Sequence, residues 1–322
     1  MNDRLGLHSS MSLCNVVGVV AAGVAALTLV VSAQRIADPD FDTKIAKPAY
    51  AARGPRVLFD EAHHNIHTAT GLYKPFADLL TADGYQVAPN TQKFTRRLLQ
   101  EFDILVIANA LGAAAVFPPE ASNPSFTPEA SNPAFRDDEC DVVRDWVHRG
   151  GALLLIADHA PMGAANATLA QRFGVEMSNA HTIDPENTTP GGATPGLIVY
   201  TRERGLREHA ITNGRDAEER VGRVITFTGQ SLKGPAAAVA FMQLSDTARD
   251  VVRASGQNTS AAGRAQGLAM PVGKGRLVVL AEAGMLSAQL AGPSKAFLGM
   301  NHPGTDNRLL ALNILHWLSR KI

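Results

Sequence analysis

Cysteine is scarce: Cys14 and Cys140 are the two in 322 residues. Cys14 falls in a leader-like N-terminus, so once that leader is removed Cys140 has no intrachain partner. The fold must then stand without disulfides, even in an oxidising compartment. An excess of one charge is missing too, with Lys plus Arg and Asp plus Glu both at 30. Without a basic run there is no electrostatic footprint for nucleic acid, and that class of partner is set aside. No Walker or dinucleotide fingerprint occurs, and no Gly-x-Ser-x-Gly elbow supports a serine nucleophile.

What is present begins with a distinct N-terminus. Arg4 gives a weak positive start, and Val16 to Val31 runs without a charge. Val31-Ser32-Ala33 ends the run with small residues suited to cleavage before Gln34. The same run approaches the ~20 apolar residues of an uncleaved membrane anchor. Either route exports the chain, to the periplasm, the outside or an anchored position, and the membrane is met only through this segment. Residues 1–33 are therefore read as signal peptide or anchor, 34–54 as a polar, Pro-containing tether, and 55–322 as one domain. With 45% hydrophobic residues the chain can bury one large core, and two smaller ones are not excluded on size.

From residue 55 the pattern alternates strand and helix. Val57-Leu58-Phe59 reads as a buried strand ending at Asp60. Pro75 suits a helix first turn, with Phe76, Leu79 and Leu80 on one face and Gly84 as stop. Tyr85–Ala88 reads as a strand, Phe94–Phe102 as a helix and Ile104–Ile107 as a strand. An insertion follows in which Pro119-Glu120-Ala121-Ser122-Asn123-Pro124 recurs as Pro128-Glu129-Ala130-Ser131-Asn132-Pro133, an extended surface loop by composition. Asp137, Asp138 and Glu139 then open a helix whose dipole favours them there, and Gly150 closes it. The apolar run Ala152–Ala157 fits a strand covered on both faces, hence a parallel sheet with helices on each side.

The second half is β-rich. Strands are expected at Leu197–Tyr200, Val224–Thr228 and Val239–Leu244. A hairpin around Gly273-Lys274-Gly275 joins Leu268–Val272 to Arg276–Ala281. A last helix starts near Thr305. Ser178 to Thr194, rich in Pro, Gly and Thr, reads as a disordered loop or a lid carrying His181 and Asp184.

Several segments together resemble the class I glutamine amidotransferase-like superfamily, in particular its branch known as the DUF4350 family. They are Leu58-Phe59-Asp60-Glu61-Ala62-His63, Gly150–Leu155, Glu208-His209-Ala210-Ile211-Thr212-Asn213-Gly214, Gly273–Val279, and Asp306–Trp317. The resemblance spans roughly residues 55 to 320 and implies a flavodoxin-like, mostly parallel sheet. It implies no agreed activity, and a fold alone supplies none. One family property is tested by the residues. True amidotransferases carry a nucleophilic Cys on the turn after the central strand, where this chain reads Ile156-Ala157-Asp158-His159-Ala160-Pro161. Cys140 lies on the preceding helix, so Cys-dependent amidotransferase chemistry is ruled out.

In open parallel sheets, ligands bind beyond the carboxyl ends of the strands. Asp60, Glu61, His63, His64 and His67 follow the first strand, Asp158 and His159 the central one, and Glu282 a late one. Glu61, Asp158, His159 and Glu282 are the candidate acid–base groups. His63 and His67 are candidate ligands for a divalent metal ion, although Glu61–His67 does not fit the His-Glu-x-x-His zinc pattern. Asp60, His64, Asn301 and His302 are candidate ligand donors. The plainer alternative is that Asp60 and Asp158 cap the following turns and the histidines are loop residues. Two functions remain open: an envelope-located hydrolase-like enzyme, with or without a metal, or a non-catalytic module of the same fold. The module would bind a polar small molecule, a carbohydrate or a partner protein.

Overall fold

The computed structural model describes residues 35–114, 132–188, 197–252 and 255–322. The leader and nearly all of the Pro/Ser repeat lie outside these. The described chain opens with β1 (Arg35–Ala37), β2 (Arg56–Asp60), α1 (Lys74–Ala82), β3 (Gln86–Asn90), the one-turn α2 (Arg96–Leu99) and β4 (Ile104–Ala108). Then come α3 (Asp137–His148), β5 (Ala152–Ile156), α4 (Met162–Gln171), β6 (Glu176–Met177) and β7 (His181–Ile183). The second half adds β8 (Ile198–Thr201), the short α5 (Ala210–Asn213), β9 (Arg223–Thr226), β10 (Leu232–Lys233), β11 (Val239–Gln243) and β12 (Arg249–Val252). It closes with β13 (Gln257–Ser260), β14 (Ala265–Val272), β15 (Gly275–Leu280), β16 (Ala288–Ala291), β17 (Ala296–Gly299) and α6 (Asn307–Leu318).

The architecture is mixed α/β, with few helices around a 9-stranded sheet ordered β3-β2-β4-β5-β15-β14-β10-β6, and β11 also paired to β14. The pairings from β3 through β15 are parallel. Those beyond β15 are antiparallel, so a mostly parallel sheet is too simple a description. The change of direction comes from the expected hairpin: Gly273, in a left-handed conformation at φ 57°, and Lys274 form a two-residue turn between β14 and β15.

Alternation along the central strands explains the packing. Val57, Phe59, Ile104, Val106, Leu154, Ile156, Val278 and Leu280 share a core with Phe76, Leu79 and Leu80 of α1 and with Leu310, Ile314 and Trp317 of α6. The intervening residues, Leu58, Leu105, Ile107, Leu153, Leu155, Leu277 and Val279, share another with Cys140, Val143 and Val147 of α3 and Leu169 of α4.

Several expectations need correction. The segment expected as a tether is built into the fold, since β1 pairs with β16 and both Asp38 and Ala49 are buried. The helix expected over Phe94–Phe102 shrinks to α2, capped by Thr95, whose hydroxyl accepts from Leu98 N at 3.2 Å. The last helix is preceded by Asp306 rather than capped by Thr305, whose hydroxyl instead donates to the His302 carbonyl. The described part of the Ser178–Thr194 loop is ordered: β7 pairs with β12, and a 3-10 turn covers Pro185–Asn187. No helix among the described residues is long and apolar enough to cross a membrane.

Candidate functional site

The sheet's carboxyl edge brings two carboxylates together by register. Ile156 of β5 faces Leu280 of β15 across a parallel pairing. Asp158 and Glu282 each stand two residues further on, so neighbouring strands deliver them side by side at a spacing of roughly 5 Å between backbones. Both are buried, Asp158 at 8% exposure and Glu282 at 1%. Glu282 accepts from Gly284 N at 2.6 Å and from Met285 N at 2.7 Å. Burial, together with the charge of Asp158, nevertheless pushes its carboxyl up to about 8, against the pull of these backbone donors.

Asn109, one residue past β4, organises the next position along the edge. Its backbone is left-handed at φ 50°, a conformation asparagine tolerates. Its side-chain oxygen accepts from Asp158 N at 2.9 Å, which fixes Nδ2 as the group that donates to His67 Nδ1 at 3.1 Å. His67 is buried with its ring 4.8 Å from that of Tyr73, whose hydroxyl donates to the Ala283 carbonyl at 2.6 Å. Burial lowers the His67 pKa to about 4, so the ring is neutral and Nδ1 is free to accept.

His159 is more open than either carboxylate. Its Nδ1 donates to the Ala160 carbonyl at 2.9 Å, which leaves Nε2 as the basic nitrogen, 3.9 Å from Asp158 Oδ1. That separation is an ion-pair distance, not a hydrogen bond. His181 of β7 stacks on the His159 ring, centroids 3.9 Å apart and planes 21° from parallel. Beneath, Gln230 donates to the carbonyls of Ala157 and Asp158 at 2.9 Å each and fixes the turn that carries the pair.

The other expected residues lie elsewhere or do other work. Asp60 holds His63 Nδ1 at 2.9 Å, and Glu139 of α3 takes Nε2 at 3.1 Å. The His63 ring packs against those of Phe94 and Phe135, centroids 4.7 and 4.8 Å away, and these two stack on each other at 5.9 Å. Burial opposes the charged ring, but the bonds to Asp60 and Glu139 outweigh it and raise its pKa above the ordinary value. Glu61 accepts from the backbone N and hydroxyl of Thr70, closing a loop. His64 is exposed at φ 53°. Asn301 donates to Asp38 and to the Gln289 carbonyl, and His302 packs against Phe227. The edge therefore gathers His67, Asp158, His159 and Glu282. Asp60 and His63 form a separate, enclosed clasp.

The metal expectation fits this donor set poorly. Both ring nitrogens of His63 are committed to carboxylates, and Nδ1 of His67 is committed to Asn109. Among the described residues, no group of three or more His, Cys, Asp or Glu side chains is placed to hold a metal ion. Reading strand ends missed Asn109, although it stands one residue past β4 much as Asp60 stands at the end of β2. Tyr73, Glu139, Gln230 and His181 carry no signal of that kind, because tertiary packing alone brings them in.

The fold has relatives among solved structures. The mmIFT52 N-terminal domain matches with a TM-score of 0.58 at 14% identity, over 82% of this chain and 97% of that one. A ThuA-like protein from Bacteroides uniformis matches at 0.43 and 14% identity, over 87% and 95% of the two chains. A GMP synthase component from Thermoplasma acidophilum matches at 0.39 and 10%, over 84% and 98%. At such identities the likeness concerns the fold alone. No family model matches the chain, and no curated protein matches it in sequence.

Proposed function

We propose that this chain is an exported, envelope-located hydrolase-like enzyme using Asp158, His159 and Glu282 for acid–base chemistry. The carrying observation is the Asp158–Glu282 pair, two buried carboxyl groups on adjacent strand ends. One of them holds its proton into the neutral range. Paired titratable groups pushed apart in proton affinity are what acid–base catalysis requires. In this reading His159 Nε2 takes a proton from water as general base, Asp158 stabilises the imidazolium, and Glu282 is the proton reserve behind Asp158. The donor set favours this metal-free form over one with a divalent ion. The flavodoxin-like description and the DUF4350-like branch belong to the same reading. So does export, which rests on the residue pattern of 1–33.

A second reading is a non-catalytic module that binds a carbohydrate or partner protein. It is favoured by the way both Glu282 oxygens accept backbone N–H groups, as a helix-capping side chain does. A panel of chromogenic esters, phosphate esters and glycosides, offered to the full chain and to Asp158→Asn and His159→Ala variants, separates the two. Turnover of one class, lost in both folded variants, supports the enzyme. No turnover by a folded chain that still binds a sugar saturably overturns it in favour of the module.

A further inference from the structure

A pocket of about 360 Å³ shares none of its lining residues with the acid–base group. Its lining includes Glu186, Glu203, Arg204, Arg207, Ser245 and Asp246, with Leu244 as its one large apolar side chain. The walls come from three segments: the 3-10 turn after β7, the turn after β8 and the end of β11. Buried Asp184 ties two of them together. It accepts from Ser245 N at 2.9 Å and from Ser245 Oγ at 2.5 Å, and from Asn187 Nδ2 at 2.8 Å. The third wall closes in at Gly205, where φ is +83° and a Cβ would stand 2.5 Å from the Gln243 carbonyl. This is a fixed concavity built on a buried carboxylate.

Most of its charges make no ion pair, and Glu203 is already served: a backbone hydrogen bond, Thr201 and the charge of Arg204 hold its carboxyl below the ordinary value. Arg207 donates Nε to Gln243 Oε1 at 2.8 Å, and Arg204 donates one terminal nitrogen to the Glu186 carbonyl at 3.1 Å. Neither guanidinium forms an ion pair among the described residues, and neither do the carboxylates of Glu186 and Asp246, although all four line one pocket. The unspent terminal nitrogens of Arg207 form a fork suited to a carboxylate. The two acids suit an ammonium group. The volume equals that of on the order of a dozen waters, the scale of a short peptide rather than a polymer.

We infer that this pocket binds a small zwitterion, a free amino acid or short peptide, with its carboxylate on Arg204 and Arg207 and its ammonium on Glu186 and Asp246. The site is independent of the hydrolase reading and survives its failure.

Calorimetric titration of the full chain with L-alanyl-L-alanine, its N-acetyl form and its C-terminal amide tests the assignment. The free dipeptide is expected to bind saturably, and each capped form about tenfold more weakly, the loss of one charge-assisted contact. Arg207→Gln should abolish the preference for the free carboxylate and leave the preference for the free amine. Asp246→Asn should do the reverse. Both residues are exposed, so these variants keep the fold. Equal affinity for free and capped forms, or no saturable binding of the free dipeptide at millimolar concentration, overturns the inference.

Discussion

Asp158 and Glu282 are register-matched, each two residues past a partner in the Ile156–Leu280 pair, and both are buried at the sheet's carboxyl edge. Like charges on adjacent strand ends cannot both ionise cheaply in a site removed from water, so one carboxyl keeps its proton. Glu282, the more deeply buried of the two, is the one that does.

This has a consequence for stability. A carboxyl whose folded pKa lies near 8 rather than the ordinary 4.5 binds its proton more tightly in the folded chain. The folded state then loses stability as pH rises through that window, opposite to the usual carboxylate. Denaturant unfolding of the full chain between about pH 5 and 8 should show this fall, and Glu282→Gln should flatten it. An unchanged slope in the variant would assign the pH dependence to other groups.

His63 behaves in the opposite sense from His67. Its bonds to Asp60 and Glu139 raise its pKa above 6.5, so the stability they give is full below that value. It is lost as pH rises through the folded pKa. His63→Ala leaves two buried carboxylates facing no cation and should cost about 3–5 kcal/mol. The loss should be larger near pH 6 than near pH 9, which urea melts at the two values would read.

Asn109→Ala removes the acceptor for Asp158 N and the donor to His67, and it places alanine at positive φ. A cost of about 2–4 kcal/mol is expected from two unsatisfied buried groups. Asn109→Gly relieves the backbone but not the bonds, and should recover less than half of the loss. Full recovery by glycine would reduce the role of Asn109 to its backbone.

Cys140 is buried against α3's neighbours, and burial pushes its thiol up to about 11. Such a thiol is a poor nucleophile. Alkylation by iodoacetamide followed by mass spectrometry should label it only after unfolding. Rapid labelling of the folded chain would reopen a role for the thiol.

The central layout was legible because its signals are local. Continuous apolar runs at Ala152–Ile156 and Ile104–Ala108 mark strands covered on both faces, and the Gly273-Lys274 turn marks the hairpin. The position of Asp158 and Glu282 followed from where those strands end. What stayed hidden depends on distant partners. β1, β16 and β17 are short and pair only with one another, so no periodicity announces them. Likewise, the Asp60–His63 pair looks like an open site until Glu139, 76 residues away, takes the other ring nitrogen.

Carbon-detected NMR titration of the side-chain carboxyls, on the full chain and on Asp158→Asn, tests the central pair most directly. A Glu282 midpoint near 8 that drops clearly once the Asp158 charge is removed is the predicted result. A Glu282 midpoint in the ordinary carboxyl range near 4.5, unmoved by Asp158→Asn, would contradict the account.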